Sequence, residues 1–182
     1  MTTLTNRPNS ALLVIDVQNE VVGQAFKRDE IVANIARVVD KARAAGIPVV
    51  WVQHSEEELP QGSDGWQIVS ELKPADGEQI VHKTYRSSFE ATNLEDVLAG
   101  LGAGRLIVTG AQTNFCVRNT VHAAFERGYD VTVVGDAHTT QDESWNGYEL
   151  KADTIIDDFN LGFTHYDLPG RSVRLIKSTD EL

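Results

Sequence analysis

Short, wholly apolar runs alternate along this chain with stretches whose apolar residues recur at helical spacing. Ala11-Leu12-Leu13-Val14-Ile15 is apolar without a break and stops at Asp16. A run of that length, apolar on both faces, fits a buried strand of a parallel sheet. Between residues 30 and 45, Ile31, Ile35, Val38, Val39 and Ala42 share one helical face, Gly46 ends the helix and Pro48 prevents its return. Val49-Val50-Trp51-Val52 predicts a second strand ending near Gln53 and His54. Gln79 to His82 predicts a third, followed at once by Lys83, and 93–99 reads as helix. Arg105 to Gly110 predicts a fourth strand. Cys116 to Arg127 predicts a helix with Val117, Val121, Ala124 and Phe125 inward, closed by Gly128. Asp130 to Gly135, a helix from Glu149 to about Asn160, and a weaker strand over Ser172 to Ile176 complete the series. This alternation predicts one α/β domain over 1–182, doubly wound, with a mostly parallel six-stranded sheet and helices on both faces.

Two stretches interrupt the pattern. From Ser55 to Gly77, glycine, proline and charges surround the apolar islands Trp66 and Ile68. In a compact α/β domain such an insertion is more often a lid or pocket wall than a linker. A second irregular stretch, Gln141 to Tyr148, contains Trp145 and Tyr148, candidates for a subunit interface. Gly100-Leu101-Gly102-Ala103-Gly104 precedes a strand. A dinucleotide loop follows a strand and opens a helix, so this segment reads as a helix-to-strand connection.

Composition narrows the setting. At 182 residues the chain can bury a core without staples, and its one cysteine excludes an internal disulfide. No apolar run approaches the ~20 residues of a membrane helix. The start, Met1 to Ser10, lacks the basic and apolar segments of a secretory signal, and the final Thr-Asp-Glu-Leu falls one residue short of a retention tetrapeptide. A cytoplasmic location is expected. The net charge of -11 opposes phosphate backbones and anionic lipid, so neither nucleic acid nor membrane is an expected partner.

Three reactive side chains follow three predicted strands: Asp16 after the first, Lys83 after the third and Cys116 shortly after the fourth. In a doubly wound sheet these positions lie along the carboxyl edge, where ligands bind. A thiol, a carboxylate and an ammonium together there make a nucleophile with a base and an electrostatic partner. Lys83 and a helix N-terminus at Cys116 would both favour the thiolate. Asp16 would take the thiol proton and later activate water. Backbone N–H groups between Gly110 and Cys116 would hold a developing oxyanion. Each residue also has a plainer role: Cys116 as a small buried apolar residue, Asp16 as a turn cap, Lys83 as a solvated cation.

These segments resemble the isochorismatase-like cysteine hydrolases over roughly residues 10 to 177. The resemblance rests on Ile15-Asp16-Val17-Gln18-Asn19, on Lys83-Thr84-Tyr85-Arg86-Ser87-Ser88-Phe89, on Thr109-Gly110-Ala111-Gln112-Thr113-Asn114-Phe115-Cys116-Val117, and on Val133-Val134-Gly135-Asp136-Ala137-His138, in the family's order and spacing. It implies an Asp16–Lys83–Cys116 triad, a six-stranded parallel sheet, and a homodimer or homotetramer. It further implies a cis peptide at Ala111–Gln112 and an oxyanion hole from the N–H groups of Gln112 and Cys116.

The resemblance also sorts the chemistry. Nicotinamidases of this family bind a metal through an Asp and histidines after the second strand, where this chain has Gln53-His54-Ser55-Glu56-Glu57-Glu58-Leu59. One histidine there makes a poor metal site, so no metal and no cofactor are expected, and the Glu56–Glu58 run reads as a solvated acidic patch. Isochorismatases proper cleave a vinyl ether, often without relying on cysteine. The intact Cys116 therefore favours hydrolysis of a small amide or carbamoyl C–N bond, of the carbamoylsarcosine or streptothricin type. Vinyl-ether hydrolysis, nicotinamidase activity and a non-catalytic binding or scaffold role are the alternatives. A redox-sensing thiol is disfavoured because no second cysteine could resolve a sulfenic acid. Around the triad, Gln18, His54, Trp66, Tyr85, Phe89, Gln112 and His138 are candidates for substrate contact.

Overall fold

The structure, a computed structural model, describes residues 2–182. Its main sheet has six strands: β1 (Asn9–Ile15), β2 (Val49–His54), β3 (Gln79–Lys83), β4 (Ala103–Ala111), β5 (Asp130–Thr139) and β8 (Val173–Ile176). All are parallel, in the order β3-β2-β1-β4-β5-β8. Chain order runs outward from β1 in one direction and from β4 in the other, so the topological switch point lies between β1 and β4. The helices are α1 (Asn19–Val22), α2 (Arg28–Ala44), α3 (Leu94–Gly100), α4 (Arg118–Arg127) and α5 (Ala152–Thr164).

The continuous apolar strands are explained by layers on both sides. Successive side chains of a strand point to opposite faces. Ala11, Leu13 and Ile15 of β1 pack with Leu94 and Leu98 of α3, Val121, Ala124 and Phe125 of α4, and Phe159 and Phe163 of α5. Leu12 and Val14 pack on the other face against Ile31, Ile35, Val38, Val39 and Ala42 of α2. The five α2 residues predicted from their spacing are all buried. The 55–77 insertion closes onto this second layer through Val69 and Leu72.

Three local readings are corrected. The predicted 116–127 helix is two pieces: a π-helical turn over Thr113–Val117, then α4. The Gln112 carbonyl accepts both the Phe115 N–H (3.1 Å) and the Val117 N–H (3.2 Å), widening the turn that carries Cys116. Strand β5 runs four residues past Gly135, to Thr139, after a register shift against β4. The predicted 149–160 helix begins instead at Ala152, because the preceding residues form a hairpin, β6 (Glu143–Trp145) with β7 (Tyr148–Leu150). Asn146 and Gly147 turn it with φ of 49° and 79°, the pairing that a tight two-residue hairpin turn requires. Trp145 and Tyr148 project from it, 71% and 73% exposed. Among the described residues no helix is long and apolar enough to cross a membrane.

Candidate active site

Asp16, Lys83 and Cys116 meet at the carboxyl edge of the sheet, beside the switch point. Asp16 directly follows β1, Lys83 is the last residue of β3, and Cys116 sits in the π-helical turn after β4. Asp16 adopts φ of 50°, a left-handed conformation uncommon for a non-glycine residue, and its N–H is tied to Val52 O at 2.9 Å. Behind it, Gly110 has φ of 119°. A Cβ on Gly110 would lie 2.6 Å from Ile15 N and closer still to Ile15 O. Only glycine lets β4 approach β1 there, and that approach sets the separation between the carboxylate and the cysteine turn.

The Lys83 ammonium is the hub. Its Nζ lies 2.7 Å from Asp16 Oδ2, 3.2 Å from Cys116 Sγ, 3.3 Å from His54 Nδ1 and 3.2 Å from the Tyr85 carbonyl. An ammonium has three N–H donors and no acceptor, so these four groups share three protons. His54 Nδ1 must therefore accept, which places the imidazole proton on Nε2. That nitrogen is buried without a hydrogen-bond partner, with Glu56 Oε2 at 3.5 Å. Burial and the Lys83 charge lower the His54 pKa, keeping the ring neutral.

The thiol is pushed the opposite way from the sequence expectation. Burial first, then the Asp16 charge, raise the Cys116 pKa to about 12, and the opposing pull of Lys83 is smaller. Nor does Cys116 head a regular α-helix whose dipole would stabilise a thiolate. The resting arrangement is a neutral thiol beside an Asp16–Lys83 ion pair. Both of its side chains are withdrawn from solvent.

A cleft of about 190 Å³ opens over these groups, lined by Asp16, Glu20, Val21, His54, Glu56, Glu58, Leu59, Arg86, Gln112 and Cys116. Of the expected substrate contacts, His54 and Gln112 line it. Tyr85 meets the site through its carbonyl. Four others are committed elsewhere. Gln18 is a buried clamp: its amide donates to the carbonyls of His54 and Trp66, each at 2.9 Å, and accepts the His54 N–H at 2.8 Å. Trp66 lies against His82, ring centroids 5.4 Å apart. Phe89 is core, packed near Tyr129 with Arg127 over its ring. His138 is fully buried between Thr113 Oγ1 and Asn160 Oδ1, each at 2.9 Å. The Asn160 amide donates to Gly135 O at 3.1 Å, so its oxygen faces His138 and accepts Nε2–H. The Thr113 hydroxyl then donates to Nδ1, anchoring the cysteine turn to β5 and α5.

Glu20, Val21, Glu56, Glu58, Leu59 and Arg86 line the cleft without being candidates on sequence grounds. The Glu56–Glu58 run, read as a solvated patch, supplies part of the cleft wall, and the 55–77 insertion is in that respect a pocket wall. Its only sequence signal was its position just beyond β2. A metal is poorly accommodated here. The one histidine after β2 presents its lone pair to an ammonium, and among the described residues no group of three or more His, Cys, Asp or Glu is arranged to hold an ion. The Ala111–Gln112 peptide bond is cis.

The Isochorismatase domain family matches residues 10–159. The chain is 36% identical over 143 residues to the streptothricin hydrolase of Streptomyces noursei, covering 75% of this chain and 56% of that enzyme. It is 34% identical over 182 residues to a probable inactive nicotinamidase of Arabidopsis thaliana, covering 85% of this chain and 90% of that protein. The crystal structure of an isochorismatase from Pseudomonas putida superposes with a TM-score of 0.86 at 28% identity, covering 96% of this chain and 90% of that one.

Proposed function

This chain belongs to the isochorismatase family of hydrolases, and from that premise we propose that it is a metal-independent cysteine hydrolase of a small-molecule C–N bond, an amide or carbamoyl group. The observation that carries this reading is the single ammonium, Lys83 Nζ, within 2.7 Å of Asp16 and 3.2 Å of Cys116 at the floor of a cleft.

In the proposed reaction the Cys116 thiol gives its proton to Asp16 as sulfur bonds to the substrate carbonyl carbon. The N–H groups of Gln112 and Cys116 receive the resulting oxyanion. Collapse breaks the C–N bond, and the proton on Asp16 passes to nitrogen, which leaves as ammonia or an amine. Water then attacks the thioester, giving one proton to Asp16. That proton returns to sulfur as the acid departs and the thiol reforms. Lys83 stays charged throughout, orienting Asp16 and offsetting the negative charge that moves between sulfur and oxygen. His54, whose Nε2–H has only Glu56 Oε2 near it at 3.5 Å, donates to the substrate. Streptothricin hydrolase, as a relative named for hydrolysis, supports this reading. The nicotinamidase relative is named as probably inactive, which makes turnover the point to test.

The test is a panel of small amides, carbamoyl compounds and nicotinamide, assayed for ammonia with and without chelator. Mass spectrometry would follow an acyl adduct on Cys116. Ammonia release that is insensitive to chelator, with a transient adduct absent in Cys116→Ala, is the expected result. Turnover retained in Cys116→Ala would end the covalent mechanism, and chelator-sensitive nicotinamide hydrolysis would overturn the metal-free reading. A cytoplasmic homodimer or homotetramer belongs to the same proposal, and sedimentation of the purified protein measures the assembly.

A further inference from the structure

The cleft wall carries an unbalanced charge. Glu20 from α1, and Glu56 and Glu58 from the segment after β2, line it together with one cation, Arg86. Asp16 and Lys83 neutralise each other on the floor. Several carboxylates elsewhere on the surface have a basic partner, among them Glu71 with Arg28, Glu78 with Arg43, Glu95 with Arg7 and Asp142 with Lys151. Among the described residues none of the three cleft glutamates meets a lysine or arginine; Glu56 has only the neutral His54 near it. Arg86 lies 4.6 Å over the Phe115 ring, so an aromatic face already engages its guanidinium. Three carboxylates with no lysine or arginine partner around a low-dielectric floor attract cations and repel anions.

A second observation points to a ligand in the cleft. His54 and Asp16 both line it and are more than nine-tenths buried, yet Asp16 Oδ1 has no donor and His54 Nε2 has only Glu56 Oε2 near it, at 3.5 Å. Buried polar atoms are rarely left so. An amide fits both, its carbonyl oxygen taking the histidine proton and its N–H facing the carboxylate.

We infer that the natural substrate is a small amide or carbamoyl compound that also carries a positive charge, an ammonium or guanidinium held by Glu20, Glu56 and Glu58. The amide part of this inference rests on the cysteine-hydrolase reading; the charge selectivity does not.

Because Cys116 is the only cysteine, charged thiol reagents read the cleft directly. Methanethiosulfonates bearing 2-aminoethyl (cationic), methyl (neutral) and 2-sulfonatoethyl (anionic) groups would be compared, each rate normalised to the same reagent on a free thiol. The cationic reagent should modify Cys116 about tenfold faster than the anionic one, within the range of electrostatic steering. The ratio should approach one in 1 M salt, where the screening length is about 3 Å. It should do the same in the Glu20→Gln/Glu56→Gln/Glu58→Gln protein, with the neutral reagent serving as control. In parallel, calorimetry on Cys116→Ala should give at least fivefold tighter binding of 5-aminopentanamide than of pentanamide. Equal rates, an anionic preference, a ratio that survives the triple substitution, or no modification at all would overturn the inference. Charge discrimination without hydrolysis of any amide would refute the reaction and keep the selectivity; hydrolysis indifferent to charge would do the reverse.

Discussion

The protonation state of Cys116 decides how the site works, and it can be measured by alkylation. Burial and the Asp16 carboxylate raise the thiol from an ordinary 9.0 to about 12. Three pH units correspond to about 4 kcal/mol against forming the thiolate. At pH 8, about one molecule in 10⁴ would carry a thiolate, against one in ten for an unshifted thiol, so neutral iodoacetamide should alkylate Cys116 about 10³-fold slower than a free cysteine. The rate should climb close to tenfold per pH unit from 7 to 10 without a plateau. The neighbours act with opposite signs. Asp16→Asn removes a charge that raises the pKa, so alkylation should accelerate even as turnover is lost. Lys83→Met removes the counter-pull and should slow it further. Liquid chromatography with mass detection of the intact protein gives all three rates. A fast rate that is flat between pH 6 and 8 would refute the neutral-thiol resting state, because it would mean a preformed thiolate–ammonium pair and leave Asp16 no proton to collect.

Two further outcomes test the frame that holds the site. Gly110→Ala places a Cβ against the Ile15 backbone at a φ of 119°, and should cost about 3 kcal/mol or more in urea unfolding; an unchanged midpoint would show that β1 and β4 can separate freely. Burial lowers the His138 pKa to about 4 from an ordinary 6.5, so between those values the unfolded chain binds a proton that the folded one refuses. Stability from this group is complete above pH 6.5 and falls as pH drops toward 4, by about 3 kcal/mol in all; His138→Gln should flatten this part of the pH dependence, and an unaltered slope would argue that His138 is already protonated in the fold.

The sheet was legible because its physics is local. A strand buried on both faces must be apolar at every position, and β1, β2 and β4 satisfy that over enough residues to stand out. The helix boundaries near Cys116 were less so. A π-helical turn and an α-helix share composition, and the difference lies in which N–H groups reach the Gln112 carbonyl. The β6–β7 hairpin is hidden in the sequence although Asn146-Gly147 is a strong turn signal, because three-residue strands show too little alternation. Of the substrate-contact candidates, those that point away are polar or aromatic residues whose partners are distant in sequence: Gln18 with Trp66, His138 with Asn160, Phe89 with Tyr129. Their residue types are equally suited to a ligand or to a buried clamp, and only the fold chooses. The glutamates that line the cleft failed in the other direction, since an acidic run in a loop looks like any solvated surface.

The Asp16–Lys83 pair is expensive for the fold. Both side chains are removed from water, and a buried ion pair is on average no more stabilising than apolar side chains of similar volume. Asp16 Oδ1 has no donor, and His54 Nε2 has only Glu56 Oε2 near it at 3.5 Å, which compounds the cost. A core built only for stability would place aliphatic residues at the ends of β1 and β3, as it does one residue earlier at Ile15 and two earlier at Val81. A ligand in the cleft would offset that cost by completing the missing bonds with its own donors and acceptors. The energy withheld from folding would then be available to binding, and the same desolvation that raises the thiol pKa would strengthen every charge interaction such a ligand meets there.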